Sequence, residues 1–375
     1  MNVKIINRRY CPGEAWTNRV LAYAKGLSEL GCNVTLIYLI TDAKRTPYKI
    51  EIPGVKVIDL WEKDCLIARK FRPLSFLFNL YKLKSYIRQG DKVFVYNAEK
   101  YILNSIKKTG ADLYAEITEH PYIYNKKGAN GERVIDKQSR KLNILKGLCV
   151  ISCKLKDYFT SIGISEDKLT VVNMFVDSSR FKGIVKTANE PYIAYCGTIS
   201  YDKDGVNILI DSFRLFQEKH PEYKLMIIGR GMTPTIIDEL KQKVTEIGLK
   251  DKVVFTGQIL SSEMPSILVN ARILALARPN NLQAQNGFPT KLGEYLATGN
   301  PVVVTKVGEI PNFIHHMENG FLAEPDNASD FAENLLWVAD HYEDAKKIGM
   351  KGQLLSDNCF SYLSQSRVLF NLMQK

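Results

Sequence analysis

Gly287-Phe288-Pro289-Thr290-Lys291-Leu292-Gly293-Glu294-Tyr295-Leu296-Ala297-Thr298-Gly299-Asn300-Pro301-Val302-Val303-Val304 joins a proline, a single acid and a glycine stop to a run of valines. Pro289 suits the first turn of a helix, where a missing N–H costs nothing. Gly299 suits the left-handed residue that ends a helix, and Pro301 blocks continuation. Residues 302–304 then read as a buried strand. The pattern predicts a short helix that faces a crevice with its N-terminus, carries one acid about a turn inside, and feeds a sheet. Free backbone N–H groups around Gly287 and Phe288, with the helix dipole, form an anion site. A carboxylate at Glu294 can accept hydrogen bonds from paired sugar hydroxyls. Phosphate and ribose together point to a nucleotide.

Outward from that stretch, strands and helices alternate twice over. Residues 3–7, 34–40, 93–96, 113–117, 149–152 and 169–172 read as strands of a first sheet. A helix over 15–30 carries Val20, Leu21, Ala24, Leu27 and Leu30 on one face and stops at Gly31. The polar, turn-like residues 177–191 read as a linker. Strands at 192–195, 225–228, 253–255 and 273–276 then alternate with helices at 206–218, 235–247 and 262–269. This order predicts an α/β protein with parallel sheets covered on both faces. Two such units without an obvious repeat predict two Rossmann-like domains facing across a ligand cleft.

A chain of 375 residues is long for one core and comfortable for two. Seven cysteines without a dense framework fit reduced thiols in a cytoplasmic setting. Cys149 and Cys153 lack a second ligand pair, which argues against zinc. The charged start Met1-Asn2-Val3-Lys4-Ile5 lacks the apolar run of a secretion signal, and no segment approaches the ~20 apolar residues that span a bilayer. A soluble or peripheral protein is expected. The net charge of +11 is partly local. Arg69, Lys70, Arg72, Lys82, Lys84 and Arg88 interleave with Phe71, Phe76, Phe78, Tyr81 and Tyr86 and no acid. Lys126, Lys127, Arg133, Lys137, Arg140, Lys141 and Lys146 form a second basic stretch. A solvated helix face and docking on anionic lipid both fit the first stretch. No nucleic-acid motif accompanies the charge.

The stretch around Glu294 resembles the signature of the retaining nucleotide-sugar glycosyltransferases of family 4, which have the GT-B fold. That signature is Glu-x7-Glu followed by a small-residue helix end and Gly-x-Pro-Val-Val. The second glutamate falls on Glu294, which the resemblance implies holds the ribose hydroxyls. The first position holds Asn286, which keeps a hydrogen-bonding side chain and loses the charge. The likeness is strongest over residues 225–325. It implies an N-terminal acceptor domain over 1–180, joined by a returning C-terminal helix at 360–375, and a nucleotide-sugar domain over 190–358.

The same resemblance assigns further residues. A Gly-Arg turn and a following lysine should face the donor pyrophosphate. Here Gly197 is followed by Thr198 in place of the arginine, and Lys203 takes the lysine position. Lys291 and Arg278 are the candidates to replace the lost cation. Gly229, in Ile228-Gly229-Arg230-Gly231, lies in a strand-end loop that can reach the donor. Asp202-Lys203-Asp204 matches an Asp-x-Asp metal pattern, but its place in the lysine turn of a GT-B-like domain argues against a metal. On the acceptor side stand Gly13, in the turn after the first strand, and Glu119-His120. His120 can hydrogen-bond a sugar hydroxyl or serve a structural role. Phe175 replaces the usual glycine at the hinge.

The expectation is therefore a GT-B hexosyltransferase that moves a sugar from a nucleotide-diphosphate donor to a hydroxyl acceptor, with retention and without metal or other cofactor. Its partners would be the nucleotide sugar, a glycan or lipid-linked acceptor and an anionic membrane surface reached through 69–88. Cell-surface polysaccharide or glycolipid synthesis in the cytoplasm, on the inner face of the membrane, fits that set. Two alternatives stand beside it. One is a nucleotide-sugar epimerase of the same fold. The other is a catalytically weak binding subunit, suggested by Asn286 and Thr198.

Overall fold

Runs such as Val302-Val303-Val304 are apolar at every position because both faces of their sheet are covered. The computed structural model describes residues 1–11, 13–41, 50–60, 72–124, 142–187 and 190–375. They form two units, Met1–Phe175 with Tyr362–Lys375, and Val176–Ser361.

In the first unit seven strands run parallel: β1 (Asn2–Tyr10), β2 (Asn33–Thr41), β3 (Val55–Asp59), β4 (Lys92–Val95), β5 (Asp112–Ile117), β6 (Gly147–Val150) and β7 (Leu169–Val171). Their order is β3-β2-β1-β4-β5-β6-β7. The helix Ala15–Glu29 lays Val20, Tyr23, Ala24 and Leu27 on Val3, Ile5 and Leu36 of this sheet. The C-terminal helix Tyr362–Gln374 adds Leu369, Leu372 and Met373 to the same core. It crosses the first helix at Gly26, where a side chain would collide with Ser366.

The second unit has β8 (Tyr192–Cys196), β9 (Lys224–Ile228), β10 (Val253–Gly257), β11 (Ile273–Leu276), β12 (Val302–Thr305) and β13 (Phe321–Ala323). Their order is β10-β9-β8-β11-β12-β13, again all parallel. Each sheet reverses its winding once, between β1 and β4 and between β8 and β11. Loops leaving neighbouring strands there part to opposite faces and open a crevice at the carboxyl ends.

The helix at the centre of residues 287–304 spans Thr290–Ala297, with Pro289 just before it as N-cap. Gly299 is left-handed at φ 66°, and β12 follows. Asn300 is fully buried and donates to the carbonyls of Leu268, Val269 and Ala271 at 2.9–3.0 Å. Val176 N–H donates to the Phe360 carbonyl at 2.8 Å, so residues 176–180 pack with the second unit. β13 has three residues, too few to show a period, and β3 and the helices Ala328–Asp340 and Tyr342–Asn358 add to the elements expected from the sequence.

A buried ion pair organises the first unit. Arg19, on the first helix, donates to Glu116 of β5 at 2.8 and 2.5 Å and to the carbonyls of Val172 and Asn173 at 2.8 and 2.7 Å. Tyr23 hydroxyl donates to the same carboxylate at 2.6 Å. Glu116 is fully buried, so removing it strands a guanidinium without a counter-ion. Glu116→Ala is expected to lower stability by about 3–5 kcal/mol. Urea unfolding of the full chain, followed by circular dichroism, measures it.

Candidate active site at the β8/β11 switch point

Three loops meet at the carboxyl ends of β8 and β11. Cys196 ends β8, and Gly197 and Thr198 lead to the turn Tyr201–Asp204. Ser200 caps that turn, its hydroxyl accepting from the Lys203 N–H at 3.1 Å. Gly205 closes it in the left-handed region at φ 62°, and a side chain there would strike the Ala277 carbonyl. The turn is thereby pressed against Ala277-Arg278, where β11 ends. The helix Thr290–Ala297 approaches from the other side, with the Tyr295 hydroxyl accepting from the Cys196 N–H at 2.7 Å.

Asp204 is the hub of this meeting point. Its carboxylate is 1% exposed and accepts from the Lys291 ammonium and, at 2.8 Å, from the Tyr195 hydroxyl. Arg278 Nε lies 3.9 Å from the other carboxylate oxygen and donates to the Lys203 carbonyl at 3.3 Å. Burial pushes the Asp204 carboxyl up, but Lys291 and Arg278 outweigh it and hold the group below the ordinary carboxylate range. Lys291 passes over Gly197, where a Cβ would collide with its ammonium.

Glu294 projects from the same helix one turn further on. Arg180 Nη1 donates to its Oε1 at 2.9 Å, while Arg180 Nη2 donates to the Ser261 carbonyl at 2.7 Å. Burial pushes the Glu294 carboxyl above its ordinary value, and Arg180 and Lys291 offset this only in part. The cluster thus brings Arg180, Arg278 and Lys291 together with two carboxylates, Asp204 and Glu294, leaving an excess of positive charge beside hydrogen-bond acceptors. That combination suits an anionic ligand that also carries hydroxyl groups.

Residues 190–341 match the sequence family of group 1 glycosyl transferases. This segment is similar to the group 1 glycosyl transferases. Among curated relatives, the chain is 25% identical to mannosylfructose-phosphate synthase of Agrobacterium fabrum over 45% of its own length and 37% of that protein. It is 24% identical to the amylovoran biosynthesis glycosyltransferase AmsK of Erwinia amylovora, over 57% of its own length and 53% of the relative. The chain spans about half the length of the curated relatives it matches, or less. Its backbone is similar to Anabaena Alr3699/HepE in complex with UDP, with a TM-score of 0.76, 16% identity and all of both chains covered. It is also similar to sucrose-phosphate synthase of Thermosynechococcus elongatus, with a TM-score of 0.74, 15% identity and coverage of 100% of this chain and 98% of that one. The fold is GT-B.

Within the matched segment, Glu294, Lys291, Arg278, Thr198 and the backbone of Lys203 are gathered at the switch point. Other expected donor residues are engaged differently. The Gly287 N–H is not free: it closes the short helix Leu282–Asn286 by donating to the Gln283 carbonyl at 3.0 Å. The N–H groups of Thr290 and Lys291 open the following helix and have no intrahelical acceptor. Phe288 is buried and stacks on Phe313 at 5.4 Å, serving the core. Asn286 turns its amide back to the Leu282 carbonyl at 2.9 Å. Gly229 donates its N–H to the Gly257 carbonyl at 2.9 Å and lies against the Gly197 carbonyl with no room for a side chain. Asp202-Lys203-Asp204 does not present a carboxylate pair, since Asp204 is taken by Lys291 and Tyr195.

In the first unit, Gly13 is exposed and left-handed at φ 81°, after the end of β1, and Glu119 is half-buried after β5. His120 is buried between the rings of Tyr122 and Tyr158, with centroids 5.2 and 4.1 Å away. Its Nδ1 accepts from the Tyr122 N–H at 3.3 Å and its carbonyl from the Ile123 N–H at 3.0 Å. Burial pushes the imidazole below its ordinary pKa, so it is neutral at pH 7 with its proton on Nε2. Arg69, Lys70 and the basic residues 126–141 lie outside the described residues.

Arg180 and the buried role of Asp204 escaped the sequence. Arg180 sits in the polar stretch read as a linker, and nothing in spacing ties it to a glutamate 114 positions away. Asp204 lay in plain sight inside Asp-x-Asp, but only the fold shows that it faces inward. Asp204→Asn removes the anion that Lys291 and Arg278 share and should cost about 3–5 kcal/mol at neutral pH. Because the folded pKa is depressed, this contribution is complete above the unfolded value of about 4 and fades as pH falls through the folded one. Urea unfolding of wild type and variant should therefore converge below about pH 4.

Proposed function

We propose that the protein transfers a sugar from a nucleotide-diphosphate donor to a hydroxyl of a glycan or lipid-linked acceptor, with retention and without a metal. The carrying observation is the cation-rich cluster of Lys291, Arg278, Arg180, Asp204 and Glu294 at the β8/β11 switch point. In this reading Glu294 accepts from the ribose hydroxyls, and Lys291 with Lys203 lies toward the diphosphate. The C–O bond between the anomeric carbon and the phosphate breaks, and charge develops on the departing diphosphate. The cations and the N–H groups at the start of helix Thr290–Ala297 stabilise that charge. The acceptor hydroxyl oxygen forms the new bond, and its proton passes to a phosphate oxygen of the leaving group. Positive side chains thus do the work that a divalent ion would otherwise do. The UDP-bound and UDP-glucose-bound states of the structurally similar HepE support this class of donor.

The direct test is a thermal-shift panel of nucleotides and nucleotide sugars, followed by product analysis with EDTA present. The fitting donor should stabilise the fold in proportion to its affinity, and Glu294→Ala should weaken donor binding about ten- to a hundred-fold. Transfer that survives EDTA is expected. Activity lost to EDTA and regained with manganese or magnesium would remove the metal-free reading. Conversion of donor without acceptor would favour an epimerase.

We also infer a peripheral place on an anionic membrane, at the cytoplasmic face. No helix among the described residues is long and apolar enough to cross a bilayer. The helix Arg72–Leu83 buries Phe76, Asn79, Leu80 and Leu83 on one side. Leu74, Leu77, Phe78 and Tyr81, spaced for the opposite side, are 51–74% exposed. Lys82 lies over the Phe78 ring at 4.2 Å and Lys84 over the Tyr81 ring at 6.0 Å. An apolar stripe edged by cations suits insertion at lipid headgroups, each cation adding ~1 kcal/mol near an anionic surface. Co-sedimentation with phosphatidylglycerol vesicles should weaken as salt rises and be lost in Leu77→Glu/Phe78→Glu. Undiminished sedimentation of that variant would exclude this helix as the docking element.

A further inference from the structure

We propose that Arg180 positions the nucleotide-binding carboxylate, fixing Glu294 through Oε1 so that Oε2 remains the acceptor for ribose. Arg180 carries this role only if the switch-point cluster binds a nucleotide. The geometry is that of a strut. One guanidinium nitrogen holds Glu294 at 2.9 Å, and another holds Ser261 through both its carbonyl, at 2.7 Å, and its hydroxyl, at 3.3 Å. The strut joins the loop after β10 to the helix Thr290–Ala297.

The turn that bears Arg180 is itself clamped. Asp177 Oδ1 accepts from the Ser179 N–H at 3.2 Å, and the Ser178 hydroxyl donates to Asp357 at 2.6 Å. Phe181, the next residue, is buried. Arg180 is thus anchored before it reaches the carboxylate, and it restricts a glutamate that a helix alone would leave in several rotamers. Rotamer freedom removed in advance is not lost again when ligand binds. The pair stays accessible, with Arg180 and Glu294 side chains 31% and 26% exposed. Arg180 makes the only hydrogen bond to Glu294 side-chain oxygens among the described residues, which leaves Oε2 open to a hydroxyl.

Charge adds to position. The groups around Glu294 are Arg180 and Lys291, both cationic, and the neutral Cys196 thiol and Tyr295 phenol. Burial favours the protonated carboxyl, and Arg180 is the larger of the two opposing cations. A protonated Glu294 has less acceptor capacity for ribose. Donor affinity should therefore fall as pH drops through the Glu294 pKa, and without Arg180 that fall should begin at a higher pH.

The test compares UDP with its 2′,3′-dideoxy analogue, using GDP and its analogue if UDP does not bind. Calorimetric titration of the full chain is run on wild type, Arg180→Gln and Arg180→Lys. Wild type should prefer the ribose form about ten- to a hundred-fold. In Arg180→Gln that preference should collapse toward unity and the acid limb of UDP binding should move up in pH. Arg180→Lys should restore the acid limb, because it restores charge, and only part of the preference, because lysine lacks the planar fork. If both ligands weaken equally in Arg180→Gln, Arg180 contacts the phosphates and the positioning role is overturned. If the preference is unchanged while the melting temperature drops, the role is structural and the proposal is likewise overturned. If wild type binds neither UDP nor GDP, the nucleotide reading fails and takes this role with it.

Discussion

Asp204 is ionised in a place with almost no water to solvate it. Everything at the end of β8 and β11 is arranged around that fact. The carboxylate needs cations, so Lys291 is drawn across Gly197 and Arg278 is drawn inward from the exit of β11. The cations need fixed backbones, so the turn is capped by Ser200 and pressed onto Ala277 through Gly205. The Tyr195 hydroxyl lies 2.8 Å from both Asp204 and the Thr198 carbonyl, which share its one proton. A half-satisfied cluster of this kind would be worse than an apolar one. Asp204 is held from three sides, by Lys291, Tyr195 and Arg278.

How much of this could be read from residues alone follows from the range of each interaction. The helix Thr290–Ala297 with its glycine stop and the strand after it are local, set by φ preferences and by one proline, and they were legible. So was the alternation that gives two parallel sheets, since a buried strand must be apolar throughout. β13, a three-residue strand, has too little sequence to show a period, and the late helices Ala328–Asp340 and Tyr342–Asn358 lie beyond the motif that anchored the reading. The Gly287 N–H failed for a different reason. A five-residue helix ending at Asn286 takes that donor for its own last turn, and no propensity argument resolves so short an element. Pairings such as Arg180 with Glu294 depend on tertiary proximity between distant positions, which spacing does not encode.

The two units use buried charge in different ways. Arg19 and Glu116 are sealed in the first unit, with five acceptor atoms around one guanidinium and side chains 3% and 0% exposed. Such a pair specifies where β5, the first helix and the chain after β7 must meet, and it has no capacity left for a ligand. The cluster in the second unit is graded. Asp204 is sealed, Lys291 is 14% exposed and Glu294 is 26% exposed, so burial falls from the anchor to the outermost carboxylate. Rigidity at one end and access at the other is what a binding site on a fixed scaffold requires.

This gradient also accounts for the residue that departs from the resembling motif. A threonine at position 198 supplies no charge, and its carbonyl faces the Tyr195 hydroxyl at 2.8 Å. Lys291 brings a cation to the neighbouring Gly197 from another element, the helix, with its ammonium held by Asp204 from below. A lysine on a rigid helix with a buried counter-ion loses less freedom on meeting an anion than an arginine on a loop. It also offers less, because Asp204 already neutralises part of its charge. Arg278 makes up that difference from the buried side, since it approaches the same carboxylate at 3.9 Å without closing a full bidentate pair. The excess positive charge therefore belongs to the cluster and not to any one side chain. Motif matching, which scores positions singly, registers the missing cation at 198 and does not see that Lys291 and Arg278 converge on the same turn from other elements.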